Sequence, residues 1–123
     1  MYGIKKGDVA EVKALCSPPR SVVQVLSATM TLLGEVNPGD FRNIKRVLAH
    51  STFLQRVTTL DTDSISPEVA VKARGYVEGI TEEQITKVCL ASTSFFRWVR
   101  DVLAAVAKRT GDLPEAAKKE PAS

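Results

Sequence analysis

Apolar residues recur every three or four positions along this chain, and no stretch alternates strictly between hairpin signals. The pattern predicts helix after helix. Residues 4–15 offer Ile4, Val12 and Leu15 to a core, while Lys6 and Lys13, two turns apart, share another face. In Ser17-Pro18-Pro19, the serine is expected to cap a second helix. Pro18 would take its first position, where the missing N–H costs nothing. That helix should run to Leu33 and stop at Gly34. With Val22, Val23, Val25, Leu26, Ala28, Met30, Leu32 and Leu33 it is apolar on most sides, as a central buried helix is.

Asn37-Pro38-Gly39 marks a turn, and Asp40 is placed to cap a third helix whose apolar stripe is Phe41, Ile44 and Leu48. A short helix over 51–60 brings Phe53, Leu54, Val57 and Leu60. Residues 61–64 read as a loop, and Ser66-Pro67-Glu68 opens another helix that Gly75 and Gly79 weaken at its end. Thr81 with Gln84 forms a capping box for a helix to about Leu90. Residues 91–109 make the longest helix. Phe95, Val99, Val102 and Val106 step as a coiled-coil seam, and Phe96 and Trp98 widen it. Gly111 to Pro114 interrupts it, and helical composition resumes over 115–123. No other segment is long enough to pair with the whole seam, so a partner helix is expected to be missing and the chain to be an excised piece. The expected fold is all-α. A helical bundle of about six short helices over 1–90 continues into one coiled-coil helix over 91–123, packed on the bundle at its N-terminal part.

Composition adds bounds rather than an activity. At 123 residues, 44% hydrophobic and 25% charged, the chain suits one globular domain that needs no disulfide or metal. No apolar run approaches the roughly 20 residues of a membrane helix, so no membrane role is expected. The first residues lack a signal peptide's hydrophobic region, and the expected location is cytoplasmic. Cys16 and Cys89 stand outside any CxxC pair, in apolar contexts that suit buried free thiols. The net charge of +3 is unevenly spread. Residues 1–60 carry eight Lys/Arg against four Asp/Glu, and residues 61–90 carry three against six. A surface polarised in this way can steer a domain onto an acidic partner.

No arrangement for catalysis emerges. His50 is the only histidine and has no neighbouring metal-ligand cluster in sequence. GxSxG, GxGxxG and P-loop motifs are absent. Glu82 and Glu83 are adjacent, so they point apart on a helix and suit its positive N-terminal end. A non-enzymatic chain without a metal or a cofactor of its own is expected, and its function must come from a surface. The sharpest charge feature is the Arg42, Lys45, Arg46 stripe at i, i+3, i+4.

The ordered set Ile4-Lys5-Lys6, Glu11-Val12-Lys13, Ser17-Pro18-Pro19, Leu32-Leu33-Gly34, Asp40-Phe41-Arg42, Ile44-Lys45, Phe53 and Ser92 to Trp98 covers nearly the whole chain. It resembles the microtubule-binding domain at the stalk tip of dynein heavy chains. Pro114 looks like that family's proline at the stalk junction. The resemblance implies a helical tip on an antiparallel coiled-coil stalk, with ATP and Mg bound in a distant motor ring. It implies a first, third and sixth helix that contact the microtubule, with Lys5, Lys6, Lys13, Lys45 and Lys87 at the basic positions. His50 stands where other members often have arginine, and Arg42 and Arg46 join from the charge stripe. Glu83 matches an acidic position that moderates affinity. The implied partners are α/β-tubulin, the outgoing stalk helix of the same heavy chain and, at the tip of an outer-arm chain, a leucine-rich-repeat light chain. The run Phe95 to Arg100 looks more like axonemal than cytoplasmic chains, which implies a cilium or flagellum.

Two other readings compete. A helical adaptor could bind a light chain or an amphipathic peptide and use the basic stripe for solubility. Nucleic-acid binding by the stripe is disfavoured by the mild net charge and the lack of a helix-turn-helix pattern.

Overall fold

The computed structural model describes residues 4–15, 17–35 and 37–110. Its centre is α2 (Arg20–Leu32), which packs against α3 (Phe41–Ala49), α5 (Pro67–Val77), α6 (Glu82–Val88) and α7 (Leu90–Thr110). The remaining elements are α1 (Lys6–Lys13), α4 (Phe53–Thr59) and a 3-10 turn at Thr62–Ser64. Six short helices and one long one, with no strand among the described residues, form the expected all-α bundle.

α2 can sit at the centre because its polar side chains are satisfied locally. Ser27, Thr29 and Thr31 each donate their hydroxyl to the carbonyl four residues back, at 2.8, 3.0 and 2.8 Å. Ser27 and Thr29 are therefore buried at no loss of hydrogen bonding, beside Val22, Val25, Leu26 and Met30. The helix ends as its sequence implies. Gly34 takes φ +81°, Glu35 N–H donates to the Met30 carbonyl at 3.0 Å, and Gly34 N–H donates to the Thr31 carbonyl at 3.1 Å. These two bonds make a Schellman motif.

Its start differs from expectation. Ser17 is exposed and caps nothing; Pro19 is the N-cap, in extended conformation, and the first helical residue is Arg20. Pro18 precedes a proline, whose ring clashes with an α conformation at the residue before it. The helix therefore cannot begin at Pro18. α1 is also shorter than expected, because Ile4 and Leu15 flank it, although both still pack on the core.

The other caps follow local chemistry. The Asp40 side chain accepts from Arg42 N–H at 3.0 Å, and Ser66 Oγ accepts from Val69 N–H at 3.3 Å with Pro67 behind it. Thr81 and Gln84 complete a reciprocal capping box at 3.1 and 3.0 Å.

α7 is covered differently from expectation. Phe95, Val99, Val102 and Val106 are each fully buried. α7 packs against α1, α2, α5, α6 and the 3-10 turn, so no bare seam remains over residues 95–106. The stripe that reads as a coiled-coil seam serves here as the bundle's own core. Trp98 anchors it: its ring is fully buried and its indole N–H donates to the Val57 carbonyl at 3.0 Å. Phe95 stacks on Phe53 with ring centroids 6.3 Å apart. Of the two cysteines, Cys89 is a free thiol but only half-buried, and Cys16 lies outside the described residues.

Candidate functional site

α1 presents two different flanks. Its helical spacing puts Lys6, Val9, Ala10 and Lys13 on one side. That side meets the end of α3 and the start of α4 in a groove also lined by Leu48, His50 and Leu54. The other flank faces α6 and α7: Lys5 and Asp8 share a second cleft with Thr86, Leu90 and Arg97. Lys6, Lys13 and His50 thus share one groove beside α1 and Lys5 lies in the other cleft, while Lys87 is in the lining of neither.

Lys5 and Lys6 are exposed and Lys13 is half-buried. His50 is exposed as the C-terminal cap of α3. Its Nδ1 accepts the Thr52 backbone N–H at 3.3 Å and lies 2.9 Å from Thr52 Oγ1. A backbone N–H can only donate, so the neutral ring carries its proton on Nε2, which stays a donor.

The expected Arg42, Lys45, Arg46 stripe divides in three dimensions. Arg42 and Arg46 are exposed, and Arg46 Nη2 donates to Asn43 Oδ1. Lys45 is half-buried, with Nζ 3.5 Å from the Leu15 carbonyl and 5.6 Å from the Phe41 ring centroid. It thereby touches the chain just beyond α1, where a carbonyl and a π-face both favour a cation. Lys87 is exposed in the last turn of α6, and Glu83 is exposed in its first turn. Pro114 lies outside the described residues.

One charged cluster went unread in the sequence. Glu82 accepts from Arg97 Nε at 2.9 Å through Oε2 and from Arg100 Nη1 at 3.0 Å through Oε1. Arg97 first and Arg100 second hold the Glu82 carboxyl below its ordinary value, and Glu82 raises Arg97 above its own. The arginines stand at i, i+3 on the exposed face of α7, which sequence can show. Their partner comes from α6, fifteen and eighteen residues away, and only packing brings it there. Among the described residues no group of three His, Cys, Asp or Glu could hold a metal ion.

Chemically, this surface can offer ammonium, guanidinium and imidazole donors around α1. Such donors can attract anionic groups.

Comparison with known proteins gives a consistent set of relatives. The chain is 31% identical over 102 residues to the cytoplasmic dynein heavy chain of Caenorhabditis elegans, covering 81% of this chain and 2% of that protein. It is 32% identical over 97 residues to dynein axonemal heavy chain 6 of Homo sapiens, with 77% and 2% covered. It is 33% identical over 101 residues to human dynein axonemal heavy chain 14, with 80% and 3% covered. No family model matches the chain. The chain thus spans 2–3% of the length of these relatives.

Proposed function

We propose that this chain, which is related to a short segment of dynein heavy chains, is the microtubule-binding module of such a motor. The observation that carries this reading is the gathering of Lys6, Lys13 and His50 in one groove, with Lys5 on the opposite flank of the same helix. Tubulin's surface is acidic. Lysines held at a surface in this way give long-range attraction and weak, reversible, salt-screened contacts. A stepping motor requires contacts of that kind.

α1 is the element through which affinity would be switched. It is eight residues long and packs on α3 and on the long helix α7. A change in register between the stalk helices would move α1 against α3 and realign Lys6 and Lys13 with His50. ATP hydrolysis in the distant ring supplies the bias, which makes this a two-state element driven from afar. Glu83, exposed at the start of α6, moderates the attraction. The axonemal relatives favour placement on the cytoskeleton of a cilium or flagellum. The partners are α/β-tubulin, the outgoing stalk helix and, on an outer arm, a leucine-rich-repeat light chain.

The test is co-sedimentation with polymerised tubulin over a salt series, using the chain and Lys6→Glu. Pelleting should fall steeply with salt and be weaker in the variant. Pelleting that is absent at low salt, also when a stalk helix is added in either fixed register, would defeat the reading.

A further inference from the structure

We infer that the groove between α1 and the α3–α4 corner is a pocket for one apolar side chain flanked by carboxylates, contributed by an acidic segment of the partner polypeptide. This rests on the microtubule-binding reading for the partner's identity, but not for the chemistry of the groove.

Size comes first. The groove encloses about 210 Å³. That is several times the roughly 30 Å³ share of a water molecule, and below the roughly 300–1,000 Å³ of pockets for drug-sized ligands. It fits a single side chain rather than a cofactor or a whole helix.

Polarity comes second. Leu48 and Phe53, both almost fully buried, and the half-buried Leu54 supply an apolar wall. Lys6, Lys13 and His50 stand around it, and among the described residues no carboxylate lines it. Helix geometry explains that segregation. At about 100° per residue, Asp8 and Glu11 point roughly 200° and 140° away from Lys6 around α1, and Asp8 lines the opposite cleft. The occupant that satisfies both wall and rim is an apolar side chain with acids beside it. The Nε2–H of His50 adds a third donor to the two ammonium groups.

The test uses the chain labelled for NMR and three peptides: Glu-Glu-Phe-Glu-Glu, Glu-Glu-Ser-Glu-Glu and Lys-Lys-Phe-Lys-Lys. The first should bind at least about tenfold more tightly than either of the others, the gain expected from burying one aromatic side chain. Its shift changes should centre on α1 and the start of α4. Ala10→Trp fills the groove from an exposed position and should erase the preference. Lys6→Ala with Lys13→Ala, which replaces one exposed and one half-buried side chain, should cut binding of the first peptide by roughly tenfold. Equal binding of the first two peptides would overturn the inference, as would shifts centred away from α1 and α4 or a preference that survives Ala10→Trp. The two readings fail separately. A wild-type chain that prefers the first peptide yet never pellets with microtubules defeats the functional reading alone. A chain that pellets but shows no preference defeats the groove alone.

Discussion

Trp98 and Val57 are joined across forty-one residues by a 3.0 Å hydrogen bond from the indole N–H to a main-chain carbonyl at a fully buried site. That one bond ties the long helix to α4 and so holds the side of the groove that carries Leu54. Trp98→Phe keeps much of the packing but strands the Val57 carbonyl. We predict a loss of about 1–3 kcal/mol by urea denaturation, and about 3–5 kcal/mol for Trp98→Ala. Equal stability of Trp98→Phe and wild type would mean that the bond contributes nothing.

The Glu82 carboxyl, held low by Arg97 and then Arg100, couples stability to acid. A folded-state pKa below the unfolded one gives a contribution that is complete above the unfolded value and lost as pH falls through the folded value. Thermal melts of wild type and Glu82→Gln should therefore differ by a constant small amount above the ordinary glutamate range, roughly pH 5 and up, and converge only as the pH falls below that range and through the lowered folded-state value. The gap should also shrink in high salt, because the pair is exposed. A gap that widens in acid would contradict the assignment.

Gly34 and Gly7 should respond in opposite directions to the same substitution. Gly34 has φ +81°, so Gly34→Ala forces a left-handed alanine and should cost about 1–2 kcal/mol even though space is open around it. Gly7 is helical, and a Cβ there also meets open space. Gly7→Ala should stabilise by about 0.5–1 kcal/mol. Paired denaturation curves decide the signs.

Lys6 and Lys45 should separate binding from folding. Lys6 is exposed on α1, so Lys6→Glu should weaken microtubule pelleting roughly three- to tenfold and leave the melting temperature nearly unchanged. Lys45 contacts the Leu15 carbonyl and the Phe41 ring. Lys45→Glu should therefore lower stability as well, by on the order of 1 kcal/mol. Equal melting temperatures for the two variants would show that Lys45 is only a surface charge.

Much of the fold follows from residues within four positions of one another. Asp40, Ser66, and Thr81 with Gln84 start helices because their side chains reach backbone N–H groups two or three residues on. Gly34 stops α2 because only glycine enters the left-handed region freely. The apolar stripe of α7 was equally legible as a stripe. The failure at Ser17 was also local: the second proline keeps Pro18 out of the α conformation, and the helix starts at Arg20 with Pro19 as its extended N-cap.

What the amino-acid order determined alone, then, was the succession of helices, most of their caps, and which faces are apolar. Tertiary structure decided what those faces meet. It turned Lys45 onto the end of α1, set Lys6 and Lys13 across from His50, and placed Glu82 between two arginines of α7. It also covered a stripe that reads as a coiled-coil seam with the chain's own helices. The physical reason is range. Backbone dihedrals and caps are settled by neighbours a turn away, whereas a side chain's partner thirty or forty residues along depends on how whole helices pack to exclude water.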